Sequence, residues 1–350
     1  MDLNAIAMGG TRPIGRPTVF DWNQTLEPRF VGIDEGTILY AMTGEGPPLL
    51  LLHGFGGEIW MWERQVPALS KRHCLYIPDL IGYGYSDRPK VDYTPSLFID
   101  SIRQFMDQLG VRSASLIGNS MGAGIAWAFA LTHPERVDKL ILIDGIPPQV
   151  VHAVRNRFLR CLLAIRHVPL LPYLAIALQT RRTVRMALMQ VVSNGRLITD
   201  VVVERQYRIS RLAGTARVMA STIRYADEVA RYADALATLR KPTLIIWGER
   251  DELFPVEVGQ QLHASIRDSR LVVIKDSGHI PMWETPDQTN RAILEFLGRD
   301  TSCASMTPMG IQARSPSPSS SPQRGEESFI INPSPPFGGE GEGEGNFLGK

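Results

Sequence analysis

The distribution of apolar and polar residues predicts strands separated by helices along much of the chain. Two alternating runs, Arg29–Ile33 and Thr37–Met42, flank the turn-forming sequence Asp34-Glu35-Gly36 and predict a hairpin. Continuous apolar runs of four or five residues then predict strands that are buried on both faces. These runs are Pro48–Leu52, Cys74–Ile77, Ala114–Ile117, Lys139–Ile143, Thr243–Trp247 and Leu271–Ile274.

Segments with helical periodicity lie between these strands, and one long helical segment interrupts the pattern. The regular segments are Ile59–Leu69, Pro95–Leu109, Met121–Thr132, Val256–Ile266 and Asp287–Leu297. Alternation of strand and helix is typical of a mostly parallel sheet with helices on both faces. Between about Ile146 and Leu236 the pattern is helical, with no convincing strand. This insertion predicts a helical cap over one edge of an α/β sheet.

The composition predicts a folded centre with two different ends. From about Thr301, serine, proline, glycine and glutamate predominate, so this segment cannot bury enough apolar surface to offset its ordering entropy. We therefore predict a disordered tail. The predicted parts are an N-terminal extension (1–28), a first core part (29–145), the cap (146–236), a second core part (237–300) and the tail (301–350).

Composition and charge favour a small-molecule enzyme over a nucleic-acid-binding protein. The 350 residues are 44% hydrophobic and 21% charged, as in ordinary globular proteins, and the net charge is only +1. Such a balance gives no long-range attraction to nucleic acid or acidic membranes. The three dispersed cysteines, Cys74, Cys161 and Cys303, form neither a disulfide framework nor a metal cluster. Because the N-terminus also lacks a secretory signal pattern, we expect a cytoplasmic protein.

One apolar stretch, Phe158–Leu178, has roughly the length of a membrane-spanning helix. Arg160, Arg166, Pro169 and Pro172 interrupt it, which argues against a span. We predict bent helical structure packed on the protein. Contact with a membrane surface is the weaker alternative.

A candidate nucleophile lies at the junction of a predicted strand and helix. Gly118, Ser120 and Gly122 form the pattern G-x-S-x-G between the strand Ala114–Ile117 and the helix Met121–Thr132. The sharp turn in this context exposes the serine hydroxyl above the sheet edge, and small neighbours permit the strained backbone. The context therefore predicts that Ser120 is the nucleophile.

A serine nucleophile needs a general base and a carboxylate. Of the seven histidines, only His279 lies in a loop just after the last predicted strand, while His53 ends an early strand. Asp251 and Asp144 both follow strands and compete for the third position. Hydrolases whose serine lies at such a strand-to-helix turn have the chain order serine, aspartate, histidine. The order Ser120, Asp251, His279 therefore favours Asp251, with Asp144 as a structural carboxylate.

Backbone amides are expected to stabilise the oxyanion of the tetrahedral intermediate. We predict the N–H of Met121, directly after the nucleophile, and the N–H of Phe55 in the loop His53–Gly57. No metal or organic cofactor is implied. The substrate is expected to be a small molecule, and the apolar cap suggests an apolar acyl or alkyl group.

Together these residues resemble the α/β-hydrolase superfamily over about Arg29 to Leu297. Further matching segments are Asp79–Ser86 (D-x-x-G-x-G-x-S), Ser277–Pro281 and Glu284–Pro286 around the histidine, and Thr132–Val137 after the nucleophile helix. The resemblance implies an α/β-hydrolase fold with a helical cap and a serine hydrolase that acts through a covalent acyl-enzyme.

Comparison of these motifs with individual classes of the superfamily argues against some reactions and leaves others open. Ser120 differs from the aspartate nucleophile of epoxide hydrolases and haloalkane dehalogenases. The chain is similar to the meta-cleavage C–C hydrolases, in which a tryptophan usually follows the catalytic histidine. Here Ile280 has that position and Trp283 lies nearby, while Arg205 is a possible match for their cap arginine. We expect an esterase-like hydrolase. C–C hydrolysis, acyl or perhydrolytic transfer, and non-catalytic ligand binding are the alternatives.

Overall fold

An eight-stranded sheet forms the centre of the structure, a computed structural model that describes residues 26–298. The predicted N-terminal extension, apart from 26–28, and the predicted tail lie outside these residues. The strands are β1 (Arg29–Ile33), β2 (Gly36–Thr43), β3 (Pro48–Leu52), β4 (Cys74–Pro78), β5 (Ala114–Asn119), β6 (Val137–Ile143), β7 (Thr243–Gly248) and β8 (Ser269–Ile274).

The order of the strands in the sheet is β1-β2-β4-β3-β5-β6-β7-β8. β1 pairs antiparallel with β2, and β2 pairs antiparallel with β4, whereas the pairs from β4 to β8 are parallel. The predicted α/β fold with a mostly parallel sheet is therefore confirmed. Parallel strands share one carboxyl edge, and loops from several strands meet there.

The helices outside the cap segment are α1 (Val66–Leu69), α2 (Pro95–Gln108), α3 (Met121–Thr132), α10 (Val256–Ser265), α11 (Pro281–Glu284) and α12 (Pro286–Leu297). The predicted helix Ile59–Leu69 is wrong in one respect. It consists of a 3₁₀ turn, Ile59–Trp62, and the separate helix α1. Pro67 explains the break, because it lacks the N–H that would bond to the carbonyl of Glu63 in a continuous helix.

The core consists of two apolar layers, one on each face of the sheet. Along β3, Leu50 and Leu52 pack into one layer while Leu49 and Leu51 pack into the other. Full burial of each such side chain contributes roughly 1.5–3 kcal/mol. This arrangement explains why the sheet strands appear in the sequence as continuous apolar runs.

Between β6 and β7 the described chain forms helices and no strand. These helices are α4 (Val150–Ala153), α5 (Arg157–Ala164), α6 (Leu171–Ala177), α7 (Arg181–Met189), α8 (Asp200–Ser210) and α9 (Thr215–Arg224), with short 3₁₀ turns. The apolar stretch Phe158–Leu178 bends between α5 and α6, where Leu170 has a φ of 61°. None of the helices within residues 26–298 is long and apolar enough to cross a membrane.

Candidate active site

Ser120 lies at a sharp turn between β5 and α3. Its φ of 52° and ψ of −115° belong to a region that residues with a side chain rarely adopt. Its amide donates a hydrogen bond of 2.9 Å to the carbonyl of Ile143 on the neighbouring strand. The surrounding sheet therefore holds a strained conformation, as is common where a reactive side chain must be presented.

The two glycines that flank Ser120 are required by close contacts with backbone. A Cβ on Gly122 would lie 2.2 Å from the carbonyl oxygen of Leu52, and one on Gly118 would lie 2.4 Å from the Gly122 backbone. Neither approach is compatible with a side chain. The G-x-S-x-G pattern thus reflects how tightly the start of α3 packs over β3 and β5.

His279 and Asp251 form a buried hydrogen-bonded pair at the carboxyl edge of the sheet. Asp251 Oδ2 lies 2.7 Å from His279 Nδ1, and both side chains are almost completely buried. Asp251 Oδ1 accepts the amides of Leu253 and Phe254 at 2.8 and 3.1 Å. Because the carboxylate accepts, Nδ1 carries the proton and Nε2 remains an acceptor.

Ser120 and His279 line one cavity of about 320 Å³. The Ser120 hydroxyl makes no hydrogen bond to any residue in the described range. Serine–histidine hydrogen bonds are often long before substrate binds. The structure therefore brings together the three predicted triad residues, and the predicted nucleophile and the predicted base line the same cavity.

Both predicted oxyanion donors also line this cavity. The amide of Met121 is in the first turn of α3 and has no intrahelical acceptor. The amide of Phe55 has no acceptor among residues 26–298. A Cβ on the adjacent Gly54 would lie 3.2 Å from Ser120 Cβ, so this loop passes close to the nucleophile.

His53 fixes the loop that carries the Phe55 amide. The amide of Leu80 donates to His53 Nε2 at 3.0 Å, and Nδ1 lies 2.8 Å from the carbonyl of Gly54. Nδ1 must therefore carry the ring proton. Complete burial lowers the pKa of His53 to about 4, so the ring is neutral at neutral pH. Its position makes it a support for the loop, away from the base.

Asp144, the alternative third residue, lies beside the Asp251–His279 pair. One oxygen each of Asp144 and Asp251 and a ring nitrogen of His279 lie within 4.8 Å of one another. Asp144 is fully buried, and its Oδ1 accepts the Gly248 amide at 2.8 Å while its Oδ2 has no donor. Burial and the Asp251 charge raise the pKa of Asp144 well above its ordinary value. This direction favours the protonated form of Asp144, whose hydroxyl would be a donor for Asp251.

These three side chains are also the one group in the described range with the donors and spacing for a metal ion. The contact of 2.7 Å between His279 Nδ1 and Asp251 Oδ2 is a hydrogen bond. Ligands at about 2.0–2.1 Å on a tetrahedral zinc ion would be separated by more than 3 Å. The geometry therefore fits a proton-linked pair better than a metal centre.

Glu284 connects the histidine loop to the cap segment. Its Oε1 accepts the amide of Gly278 at 2.7 Å. Its Oε2 accepts both the amide and the hydroxyl of Ser193 at 2.7 and 2.8 Å, and the amide of Asn194 at 3.2 Å. The residue was noted in the sequence only as part of the Glu-Thr-Pro motif, and no local pattern predicts its partners 90 residues away.

Two further hydrogen bonds hold the backbone of His279. Its amide donates to the carbonyl of Val191 in the cap segment at 2.9 Å. Its carbonyl accepts from Asn119 Nδ2 at 3.1 Å, and the same amide group donates to Ile143 at 3.2 Å. Asn119, the residue before Ser120, therefore also holds the backbone of His279.

The cavity wall is mainly apolar, with contributions from both the sheet side and the cap segment. No lysine, arginine, aspartate or glutamate lines the part of it that the structure describes. Apolar lining residues include Phe98, Ile125, Leu163, Ile176, Leu188 and Ile223. Arg205 lies outside this wall, with its guanidinium 5.5 Å from the centre of the Trp60 ring.

Known proteins resemble the chain in both sequence and structure. It is 28% identical over 274 residues to 2-hydroxymuconate semialdehyde hydrolase of a Pseudomonas species, covering 75% of this chain and 90% of the relative. It is 28% identical over 309 residues to lipase 1 of Psychrobacter immobilis, covering 82% and 88%. A meta-cleavage product hydrolase structure from Pseudomonas fluorescens superposes with a TM-score of 0.65 at 29% identity, covering 75% and 94%.

The family profile described as alpha/beta hydrolase fold matches residues 47–286, more than half of the chain. This range extends from β3 to the start of α12 and includes Ser120, Asp251 and His279. The strand order and the similar solved structures agree with the match. The chain therefore belongs to the α/β-hydrolase fold family.

Proposed function

We propose that this protein is a serine esterase that cleaves neutral carboxylic esters with an apolar acyl or alkyl group. The observation that carries the proposal is the shared cavity. Ser120 in its strained conformation and His279, which is paired with Asp251, line this cavity, and no lysine, arginine, aspartate or glutamate lines the part of its wall that the structure describes. Burying an apolar chain on such a wall is favourable, whereas burying a charge is costly.

In the proposed reaction, Ser120 Oγ attacks the ester carbonyl while His279 Nε2 takes the hydroxyl proton. The amides of Phe55 and Met121 donate to the oxyanion. His279 then protonates the departing alkoxide, which leaves an acyl group on Ser120. Water attacks the acyl-enzyme with His279 again as the base, and the acid is released. Asp251 stabilises the imidazolium in both steps.

The same cavity argues against meta-cleavage C–C hydrolysis. The relative named 2-hydroxymuconate semialdehyde hydrolase acts, by that name, on a carboxylate-bearing compound. A carboxylate in an apolar cavity needs a cation beside it. Arg205, the residue considered for this role, packs on Trp60 and is not part of the described cavity wall. The lack of a lining cation favours a neutral substrate.

The decisive experiment measures turnover of p-nitrophenyl esters with graded acyl chains by the wild type and by Ser120→Ala. Removal of a triad nucleophile can cost about a million-fold in turnover. We expect kcat/KM of the wild type to rise up to about fourfold per methylene until the cavity is filled. Ser265→Ala, which changes an exposed serine on α10, is the matched control and should behave as wild type.

The other outcomes separate the alternatives. Equal turnover by wild type and Ser120→Ala would exclude Ser120 as the nucleophile. Cleavage of a vinylogous diketone acid with little ester turnover would support C–C hydrolysis. Preferential transfer of the acyl group to an added alcohol or peroxide would indicate a transferase or perhydrolase. Ester binding without turnover by any variant would indicate a binding protein.

A further inference from the structure

The cap segment has a charge very different from that of the whole chain. Residues 146–236 contain fourteen arginines, no lysine and five acidic residues, a net charge of +9. The whole chain has a net charge of only +1. The positive charge is thus concentrated in one quarter of the sequence, and the small overall charge hides it.

The same segment exposes an unusual number of large apolar side chains. Leu170 and Leu178 are 71% and 74% exposed, and Leu171, Tyr173 and Leu174 are each more than 40% exposed. All five lie on or beside α6. Isolated exposed apolar residues are ordinary, but Leu171, Leu174 and Leu178 follow helical spacing along one face of α6, and such a group marks an interaction surface.

The opposite side of α6 lines the cavity that Ser120 and His279 also line. Ile176 is buried and lines the cavity, as does Gln179, the second residue after the end of the helix. The helix α6 is short and apolar on both sides. Packing within the fold explains its buried side but not the leucines on its outer side. The exposure of the outer leucines therefore requires another explanation. Only the thickness of α6 lies between this outer side and the cavity.

Basic side chains lie beside part of the exposed apolar group. A surface groove brings Lys90, Arg166, Arg217 and Arg224 together with Leu170 and other apolar residues near it. Arg211 donates to the carbonyl of Ala177, at the end of α6. The acidic side chains nearby, Asp92 in the groove and Asp227 paired with Arg166, balance only part of this charge.

We propose that the outer side of α6 and its surrounding basic residues dock on an anionic lipid bilayer. The leucines and Tyr173 would enter the interfacial region, while the basic groups contact lipid phosphates. Nucleic acid would match the charge but leave the leucines in water. A second copy would bring two surfaces of the same charge together. This inference does not depend on the reaction proposed above.

The proposal is tested by sedimentation of the full chain with vesicles of phosphatidylcholine, alone or mixed with phosphatidylglycerol. We expect binding to the anionic vesicles that weakens with added salt, and little binding to the neutral ones. Leu170→Ser combined with Leu178→Ser should lower the affinity at least tenfold. Lys90→Gln combined with Arg224→Gln should lower it about fivefold per charge at low salt.

Matched controls lie on the sheet, away from the cap segment. Phe30→Ser removes a half-exposed aromatic residue from β1, and Arg270→Gln with Lys275→Gln removes two exposed charges near β8. These variants should bind as wild type. All of the altered side chains are exposed and lie outside the cavity wall, so the circular dichroism spectrum and the thermal unfolding midpoint should stay as in the wild type and verify intact folding.

Three results would overturn the proposal. The first is absence of wild-type binding to anionic vesicles. The second is equal loss of binding in the control and the cap variants. The third is a dimer that the leucine substitutions convert to a monomer while vesicle binding is unchanged, which would identify the surface as a contact between copies.

Discussion

Two carboxyl groups lie near the candidate base, and their hydrogen-bond partners differ. Asp251 accepts two backbone amides and the histidine N–H, as expected of a carboxylate. Asp144 accepts only the amide of Gly248 and is fully buried. Two like charges this close together are unfavourable, and burial raises the pKa of Asp144 well above its ordinary value. We therefore expect Asp144 to keep its proton and to position Asp251 as a hydrogen-bond donor.

This assignment predicts different effects for two substitutions of Asp144. Asp144→Asn keeps a neutral donor of similar size, so we expect kcat on a p-nitrophenyl ester to stay close to that of wild type, with an unchanged pH profile. Asp144→Ala removes the donor and should lower kcat roughly tenfold or more, since hydrogen bonds to charged groups contribute about 1.5–3 kcal/mol. KM should change little in either variant.

Steady-state kinetics between pH 5 and 9 would check both variants, with circular dichroism to verify folding. Equal losses in Asp144→Asn and Asp144→Ala would contradict a role as a proton donor. The sequence could place Asp144 at a strand end but could not show its protonation. That depends on burial and on Asp251, which is 107 residues away in the chain.

At the level of elements, the central strands such as β3, β5 and β7 could be predicted well from the sequence because they bury both faces. The predicted apolar runs agree with β3 to β8 within about two residues at each end. The break before α1 was missed because the apolar spacing continues through Pro67. Glu284 was missed as a connector, since its four donors belong to the histidine loop and to a distant part of the cap segment.

The Glu284 contacts predict that this side chain couples the cap segment to the histidine loop. Glu284→Gln replaces one acceptor oxygen with a donor, which leaves either Gly278 or the Ser193 group unsatisfied. We expect faster hydrogen exchange at the amides of residues 193, 194 and 278. We also expect a several-fold lower kcat, because the loop that carries His279 loses its support.

Hydrogen exchange followed by mass spectrometry, together with ester kinetics, would measure both effects. Glu257→Gln is the matched control, because Glu257 is exposed on α10 and has only a loose contact of 3.8 Å with Arg155. Unchanged exchange in the Glu284 variant would show that the loop does not need this contact. A general rise in exchange throughout the sheet would indicate global destabilisation instead.

At the scale of the whole molecule, the sequence predicts which distant residues lie together where the parallel sheet determines their positions. Ser120, Asp251 and His279 follow different strands, and the common carboxyl edge of those strands brings Ser120 and His279 to one cavity and Asp251 into contact with His279. The arrangement of the cap helices could not be predicted in the same way. Helix α6 is apolar on both its buried and its exposed sides, so periodicity alone does not orient it.

The stability of the whole molecule should depend on pH through His53. Its pKa is about 4 in the folded protein and close to 6.5 in the unfolded chain, because burial disfavours the charged ring. Between these values the unfolded chain binds more protons, so acid favours unfolding. The stabilising effect of the neutral ring is complete above pH 6.5 and is lost as the pH falls towards 4.

Urea unfolding of wild type and His53→Gln at pH 7 and pH 4.5 would isolate this contribution. The glutamine oxygen can still accept from the Leu80 amide but does not titrate in this range. Wild type should lose about 2 kcal/mol more than the variant over this interval, from 1.36 kcal/mol per pKa unit. Burial raises the pKa of nearby Asp79 to about 7, which acts in the opposite direction and is common to both proteins. Parallel pH dependences would therefore mean that His53 is already protonated, or solvated, in the folded state.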